Sequence, residues 1–435
     1  MKKQTHFLGI GGIGMSALAH ILLGKGEGVS GSDDKKSEVL TALQKKGATI
    51  HEDHDAVSTV VYSSAIRKDH PVLQKALKEK CPIYHRSQFL SRLMEGKKPL
   101  LITGTHGKTS TSALLSWVLI HACLSPSYAV GGILTNTSQN GGYGNGPYFV
   151  AEADESDGSF LNYQGFGGII TNLESEHLDF WQTEKRLFEG FKEFASRLAT
   201  FFWCIDDPGL SSLNLKGQSY GFSKEADWQL FDFIQKGMIL SFSVSHQGQV
   251  FEDIKIPLVG KHQALNALAV WALALELGVP EEKIREAFKT FKGVFRRLEK
   301  KGEARGATVY DDYAHHPTEI EALLTALKKT THEKRLIAIF QPHRYTRTQM
   351  CFDLFSKAFQ AADLVYITEV YSACEKPIPG ISGETLAESI PGALFVNEEN
   401  LLKTLEKVIQ KGDIVVTLGA GSITTLGPKL LAVLE

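Results

Sequence analysis

The sequence predicts an α/β protein of three domains, each built on a mostly parallel sheet, with a small β region attached to the second. Three observations predict this. The 435 residues exceed what one ordinary core holds. Short apolar runs alternate with helical patterns from end to end, which is how parallel sheets with crossover helices read. Two glycine-rich turns, "GIGGIGMSALA" from Gly9 and "TGTHGKTSTSALL" from Thr103, each follow an apolar run and open a helical pattern.

The first domain, 1–96, has predicted strands at His6–Ile10, Gly28–Ser32, Thr59–Ser63 and Ile83–Tyr84, with helices between them that stop near Gly26 and Gly47. "EGKKP", Glu95–Pro99, reads as a charged linker. The second domain, 97–293, has strands predicted at Leu100–Thr103, Tyr148–Ala153 and Gly168–Asn172 and a β-richer region over Trp203–Pro257. A helix over His262–Gly278 is apolar nearly all round, as a buried helix is. The third domain, 294–435, has strands predicted at Thr308–Asp312, Leu336–Phe340, Leu364–Thr368, Ala393–Val396 and Ile414–Leu418. Pro317 suits a first helical turn, where a missing N–H costs nothing.

Composition narrows the partners. Hydrophobic residues are 43% and charged residues 22%, and 47 Lys and Arg against 49 Asp and Glu leave a net charge of −2. Nucleic-acid binders carry a basic excess that this chain lacks. The five cysteines are odd in number, far apart and form no C-x-x-C pair, so they suggest neither a disulfide framework nor a zinc knuckle and suit a reducing cytoplasm. No run is long and apolar enough for a membrane span. "MKKQ" with the apolar stretch behind it imitates a secretion signal, but the glycines at positions 9, 11, 12 and 14 break the apolar helix that such a signal needs.

The first turn, Gly9-x-Gly11-x-x-Gly14, lets the backbone approach a diphosphate at a helix N-terminus, and Asp33 closes the next strand where an acid can take a ribose hydroxyl. NAD, FAD and a UDP-sugar all present such a diphosphate. The second turn, Gly104-Thr105-His106-Gly107-Lys108-Thr109-Ser110, has Ile102 where the G-x-x-x-x-G-K-[ST] pattern places its first glycine. Its chemistry still transfers: backbone N–H groups cradle phosphates, Lys108 neutralises them and Thr109 can ligate Mg²⁺. The domain is therefore read as a nucleotide-binding P-loop domain, and its neighbours as Rossmann-like.

"EADESDGSF" sets Glu152, Asp154, Glu155 and Asp157 at a strand end, and such crowded carboxylates repel unless they share a cation. "TNLESEHLDF" places Asn172 and His177 after the next strand, where α/β sheets bind ligands. In the third domain "DDYAHHPTE" offers Asp311, Asp312, His315 and His316, too few and too close in sequence for a zinc site. Arg344 and Arg347 in "FQPHRYTRT" present planar donor forks that suit a small carboxylate.

In this order, "GIGGIGMSALA", "VSGSD", "YSSAI", "TGTHGKTSTSALL", "EADESDGSF", "TNLESEHLDFW", "DDYAHHPTEI" and "FQPHRYTRT" resemble the Mur ligases, which build the peptidoglycan peptide. The resemblance spans nearly the whole chain. It implies an ATP- and Mg²⁺-dependent cytoplasmic ligase that joins L-alanine to the lactyl carboxylate of UDP-N-acetylmuramate. It implies that Gly9, Gly11, Gly12, Gly14, Met15, Asp33, Ser63 and Ser64 hold the UDP-sugar. The Gly104–Ser110 turn would hold ATP, with Asn266 on the adenine, Arg297 on a phosphate and Asp312 on the ribose. Thr109, Glu152 and His177 would organise Mg²⁺, and Tyr313, His315, His343, Arg344 and Arg347 would surround the alanine. Lys108, Glu152, His177 and Arg297 form the implied catalytic set.

Three positions depart from the family pattern: Gln263 replaces a usual Asn, Ala314 a usual Gly and Ser422 a usual Asp. Two alternatives fit the same motifs, a ligase that attaches a whole tripeptide to the same UDP-sugar and a non-catalytic UDP-sugar sensor. Domain closure is expected of such a ligase, with Gly293 and Gly302 flanking the hinge.

Overall fold

A computed structural model of the chain describes residues 4–51, 58–331 and 334–435. Its backbone falls into two compact units, one of Met1–Asp232, Phe242–Lys255 and Leu265–Lys292, the other of Phe233–Ser241, Ile256–Ala264 and Gly293–Glu435. Three sheets run through them.

The first is built from β1 (Gln4–Leu8), α1 (Ile13–Gly24), β2 (Gly28–Ser32), α2 (Glu38–Lys45), β3 (Thr49–Ile50), β4 (Thr59–Tyr62), α3 (Pro71–Lys78), β5 (Ile83–His85) and α4 (Arg86–Met94). Its order is β3-β2-β1-β4-β5, parallel throughout, with Phe7 level with Gly31 on one side and Val61 on the other. The central strand is buried on both faces, which is why it reads as a short apolar run. It ends at Leu8 rather than Ile10, because the N–H groups of Gly9 and Ile10 both turn to the Ser32 carbonyl.

The second sheet takes β6 (Lys98–Thr103), β7 (Ser127–Leu134), β8 (Gln139–Gly142), β9 (Tyr148–Glu152), β10 (Gly167–Ile170), β11 (Phe201–Cys204), β12 (Gln218–Gly221), β13 (Trp228–Lys236), β14 (Ile239–His246) and β15 (Gln249–Ile256). Along it lie α5 (Lys108–His121), α6 (Leu178–Trp181), α7 (Glu184–Ser196), α8 (Pro208–Ser211), α9 (Lys261–Glu276) and α10 (Glu281–Thr290). Its order is β15-β14-β13-β12-β11-β10-β6-β9-β7-β8. The expected linker is shorter than its charges suggest: Lys98 and Pro99 already belong to β6, and the Pro99 carbonyl accepts the Phe166 N–H at 2.8 Å. The β7–β8 hairpin has no counterpart among the predicted strands, because its glycines mask the alternation that marks a strand. Helix α9 is buried as expected, with every side chain from Ala267 to Ala274 at 0% exposure.

The third sheet comprises β16 (Glu299–Ala304), β17 (Ala307–Asp312), β18 (Leu336–Phe340), β19 (Leu364–Ile367), β20 (Ala393–Phe395) and β21 (Ile414–Leu418), with α11 (Pro317–Thr331), α12 (Tyr345–Met350), α13 (Phe352–Ala358), α14 (Gly383–Ser389), α15 (Glu398–Val408) and α16 (Leu426–Leu434). Its order is β16-β17-β21-β18-β19-β20, and only the β16–β17 edge pair runs antiparallel. Gly302, expected to flank a hinge, sits at a bulge inside β16, where a Cβ would meet Leu431.

Helix α1 lies directly on β8. Asn140 donates to the Ile13 carbonyl and to Ser16 Oγ, and Gly141 brings the strand so close that a Cβ would lie 2.7 Å from Ala17 Cα. Backbone cannot yield as a flexible side chain would. Gly141→Ala is expected to destabilise the first unit by about 1–3 kcal/mol, read as a lower denaturant midpoint with an unchanged slope.

Candidate active site

Every chemistry-bearing turn singled out above leaves the carboxyl end of a parallel strand: Gly9 after β1, Gly104 after β6, Ala153 after β9, Thr171 after β10, Tyr313 after β17 and Gln341 after β18. Open α/β sheets bind ligands at these ends.

In the first loop Gly9 takes φ +76°, and the Gly12 N–H closes on the Gly9 carbonyl at 3.0 Å. Asp33 braces the loop: one oxygen accepts the Gly11 N–H at 2.9 Å and the other accepts the Lys35 N–H at 3.1 Å. Ser63 faces the cavity beyond this loop, while Ser64 Oγ lies 3.0 Å from His85 Nε2. Arg86, which motif reasoning passed over, stands against Gly14, where a Cβ would meet its side chain at 3.0 Å.

In the second loop Gly104 (φ +135°) and Gly107 (φ +82°) hold conformations open to glycine, and a Cβ on Gly104 would strike Thr171. Thr171 Oγ1 and Asn172 Nδ2 both donate to the His106 carbonyl, and Asn172 Oδ1 accepts the His106 N–H at 2.8 Å. Thr105 Oγ1 accepts the Glu174 N–H at 2.9 Å. The loop is thus clasped by the segment after β10, with its last glycine at the N-terminus of α5. Asn266 lies over Gly107, 3.1 Å from where a Cβ would be, and Ser110 is half-buried in the first turn of α5.

The cation that relieves the acidic turn is Lys108. Its Nζ sits 2.9 and 2.8 Å from the two oxygens of Glu155 and donates to the Gly104 carbonyl at 2.5 Å. Burial pulls this ammonium down, but Glu155, Asp154 and Glu152 more than offset that and leave it above the usual lysine range. Burial dominates at Glu155 and pushes its carboxyl up to about 7 despite Lys108 beside it. His177, in the left-handed region at φ +56°, brings Nε2 within 3.9 Å of Glu155 and 3.7 Å of Glu176.

Glu152 is held differently. It accepts from Thr109 Oγ1 at 3.2 Å, Ser112 Oγ at 2.9 Å and the Gly131 N–H at 2.6 Å. Asp154 accepts the Ser156 N–H at 3.1 Å and Asp157 that of Ser159 at 3.0 Å. Burial raises Asp154, while Lys108, Ser156 and Arg86 outweigh it and hold the carboxyl below the usual range. Glu152 and Asp154 also line a cavity of about 310 Å³ together with Gly9, Gly12, Gly14, Met15, Ser63 and Arg86. The first glycine loop and the acids at the end of β9 therefore face one space, and Glu152 ties that space to the second loop through Thr109.

The third sheet carries its own cluster. Asp312 accepts the N–H groups of Leu298 and Ala314, at 2.6 and 2.7 Å. Burial pushes its carboxyl up to about 6, against the pull of Arg297 and those two donors. The guanidinium carbons of Arg296 and Arg297 lie 4.8 and 5.0 Å from the Tyr313 ring centre. The rings of His315 and His343 are 6.1 Å apart, and Arg347 Nη1 lies 3.4 Å from His343 Nδ1. Arg344 points elsewhere: its Nε bonds Glu375 at 2.5 Å, and Glu375 also takes the Thr346 N–H and hydroxyl. Tyr371, which the sequence did not single out, stacks on His343 at 5.4 Å. Of the departures, Ala314 is buried in the sheet's core and Ser422 accepts from Gln341 Nε2 at 2.9 Å.

Comparison with known proteins gives three family-model matches in chain order: "Mur ligase family, catalytic domain" over residues 4–98, "Mur ligase middle domain" over 102–274 and "Mur ligase, glutamate ligase domain" over 296–421. The UDP-N-acetylmuramate–L-alanine ligase of Protochlamydia amoebophila is 42% identical over 100% of this chain and 99% of its own. The crystal structure of the UDP-N-acetylmuramate–alanine ligase from Thermotoga maritima superposes with a TM-score of 0.86 at 31% identity, covering 99% of both chains. A murein peptide ligase from Psychrobacter arcticus gives a TM-score of 0.72 at 25% identity over 99% of this chain and 98% of its own.

Burial, followed by His315, Arg347 and Arg344, lowers the His343 imidazole from 6.5 to about 4. Between those values the unfolded chain binds the extra proton and the folded chain does not, so this histidine makes stability fall as pH drops from 6.5 toward 4. His343→Phe keeps a ring to stack on Tyr371 and is expected to flatten that slope. Urea denaturation of both proteins at intervals across this range, following the second unit, measures the difference.

Proposed function

The chain belongs to the Mur ligase family, and from that premise we propose that it joins L-alanine to the lactyl carboxylate of UDP-N-acetylmuramate at the expense of ATP, giving UDP-N-acetylmuramoyl-L-alanine, ADP and phosphate. The observation that carries this is the single cavity lined by both the Gly9–Met15 loop and the acids Glu152 and Asp154. A UDP-sugar held by its diphosphate on the first loop would present its sugar acid toward the second. The relatives that bear this activity by name match the chain from end to end.

The second loop fits a triphosphate. Its glycine positions leave no room for a Cβ at Gly104, its N–H groups open α5, and Lys108 is the cation at its mouth. We assign the Gly104–Ser110 backbone and Lys108 to the ATP phosphates, Asn266 to adenine, Asp312 to the ribose and Arg297 to a phosphate. Thr109 Oγ1 and the Glu152 carboxylate are hard oxygen donors 3.2 Å apart, the donor type Mg²⁺ takes, and His177 stands nearby through Glu155. When bound, Mg²⁺ would offset charge on the β- and γ-phosphates. Tyr313, His315, His343 and Arg347 are assigned to the alanine. Arg344 joins them only by giving up Glu375.

In this reading the lactyl carboxylate takes the terminal phosphoryl group, and ADP leaves. The neutral amine of alanine then attacks the acyl phosphate carbon, phosphate departs and an amide remains. His177 or an adjacent carboxylate accepts the amine proton. Catalysis of this type is largely positioning and electrostatics. No helix among the described residues is long and apolar enough to cross a membrane, and we place the reaction in the cytoplasm.

A phosphate-release assay supplied with ATP, Mg²⁺ and UDP-N-acetylmuramate decides between L-alanine and the tripeptide as second substrate. Release that depends on alanine supports the assignment; release only with tripeptide, or with neither, sinks it. Lys108→Ala is expected to lower alanine-dependent turnover by roughly 10²-fold, as loss of one preorganised charge does. Glycine or serine should be used about 10–200-fold less well, because one small group in a pocket discriminates no more strongly than that.

A further inference from the structure

Helix α1 lines two cavities. Its first turns, from Ile13 to Leu18, border the catalytic cavity. Its last turn, with His20, Leu23 and Gly24, borders a second cavity of about 570 Å³. Strand β7 is shared in the same way: Tyr128 lines the second cavity, while Ala129, Val130 and Gly131 line the first. The volume is that of a small-molecule site.

The walls of the second cavity are chemically specific. His20 is 6% exposed, and its Nδ1 has no hydrogen-bond partner. A buried ring nitrogen without a partner is costly, and a turn of the His20 ring toward the cavity it lines would give that nitrogen a partner in an occupant. Burial, with Lys46 adding to it, lowers this imidazole to about 4, so at neutral pH Nδ1 offers a neutral donor or acceptor. The Lys46 ammonium borders the space, lowered by desolvation. Lys25 and Lys97 stand over the Tyr143 ring at 5.7 and 5.5 Å. No carboxylate is among the lining residues. Leu23, Ile120, Pro126 and the rings of Tyr128 and Tyr143 supply the apolar remainder.

We propose that this second cavity binds an organic anion with an aromatic or flat apolar body, its charged group at Lys46 and His20 and its body between Tyr128 and Tyr143. Because α1 and β7 border both cavities, an occupant fixes the spacing of the two elements that also frame the UDP-sugar loop. The site stands on its own geometry; only its coupling to turnover rests on the ligase activity proposed above.

Cys123 lies on the cavity wall and is exposed, so it reports occupancy. The probe is 5,5′-dithiobis(2-nitrobenzoate), an aromatic carboxylate disulfide, compared with neutral 2,2′-dithiodipyridine. In either case the Cys123 thiolate attacks the reagent's disulfide, forms a mixed disulfide and releases one thiolate. Exposed Cys374 on the third sheet's unit serves as the internal reference. The anionic reagent is expected to modify Cys123 with a rate that saturates with concentration, and to be favoured there over the neutral reagent about tenfold more than at Cys374, the effect of one charged hydrogen bond. Lys46→Gln should bring that preference down to the Cys374 value, and His20→Leu should remove the saturation. A rate linear in reagent, with equal preference at both cysteines, overturns the site. Protein labelled at Cys123 should show a changed KM for UDP-N-acetylmuramate, and Cys123→Ser exposed to the same reagent should not. An unchanged KM overturns the coupling, whereas a protein without alanine-dependent turnover fails the functional assignment and leaves the labelling result intact.

Discussion

Glu152 is the constraint on which the arrangement of the two glycine loops depends. It ends a buried central strand, and its two oxygens gather Thr109 and Ser112 from the helix after the phosphate loop and the Gly131 N–H from the neighbouring strand. Hydrogen bonds to a charged acceptor are the strong ones, worth about 1.5–3 kcal/mol each. Three of them converge on one carboxylate, so the helix, its glycine loop and the β7–β8 hairpin are set relative to one another by a single group. The hairpin in turn carries Asn140 and Gly141 onto helix α1, whose N-terminus forms the other glycine loop. The distance between the two loops is therefore fixed through a short chain of contacts that begins at Glu152.

The acidic turn beyond that strand shows how crowded carboxylates are kept apart. Glu152 has hydroxyls and an N–H, Asp154 and Asp157 have turn N–H groups, and Glu155 has Lys108. Each acid is satisfied by a different partner. Among the described residues, direct pairing with a cation is therefore seen in this turn at Glu155 alone, through Lys108, and the other three acids are met by hydroxyls and backbone N–H groups.

What could be read from the sequence follows the range of the forces involved. Glycine turns between strand and helix are local, so Gly9, Gly104 and Gly107 stood out from the chain, as did the parallel sheets they interrupt. Partnerships across the sheet are not local. Nothing in "EADESDGSF" distinguishes Glu155, which meets Lys108, from Glu152, which meets Thr109. Arg86 becomes part of the cavity only because β5, at whose end it lies, is added to the sheet beside β4. Tyr371 and Glu375 reach His343 and Arg344 from a loop that has no motif of its own. The bulge at Gly302 is likewise invisible in the chain, because only the pairing of β16 with β17 reveals it.

The Gly104–Ser110 loop is internally satisfied, and that shapes what a nucleotide proposed to bind there would have to do. Lys108 is held by Glu155 and by the carbonyls of Gly104 and Thr105, and Thr109 by Glu152. A phosphate gains these cationic and hydroxyl groups only by replacing partners that already serve them, so affinity is a difference between two good arrangements. Removing one member of a buried ion pair leaves the other charge uncompensated, at a cost of about 3–5 kcal/mol. Glu155 is suited to avoid that cost. Burial raises its carboxyl above the usual carboxylate range, which favours taking a proton when the lysine turns to a more negative partner. His177 Nε2, 3.9 Å away, is a second titratable group beside that carboxyl. A lysine that is paired tightly enough to be ordered, to an acid weak enough to release it, is preorganised for a ligand without being trapped by its own counterion.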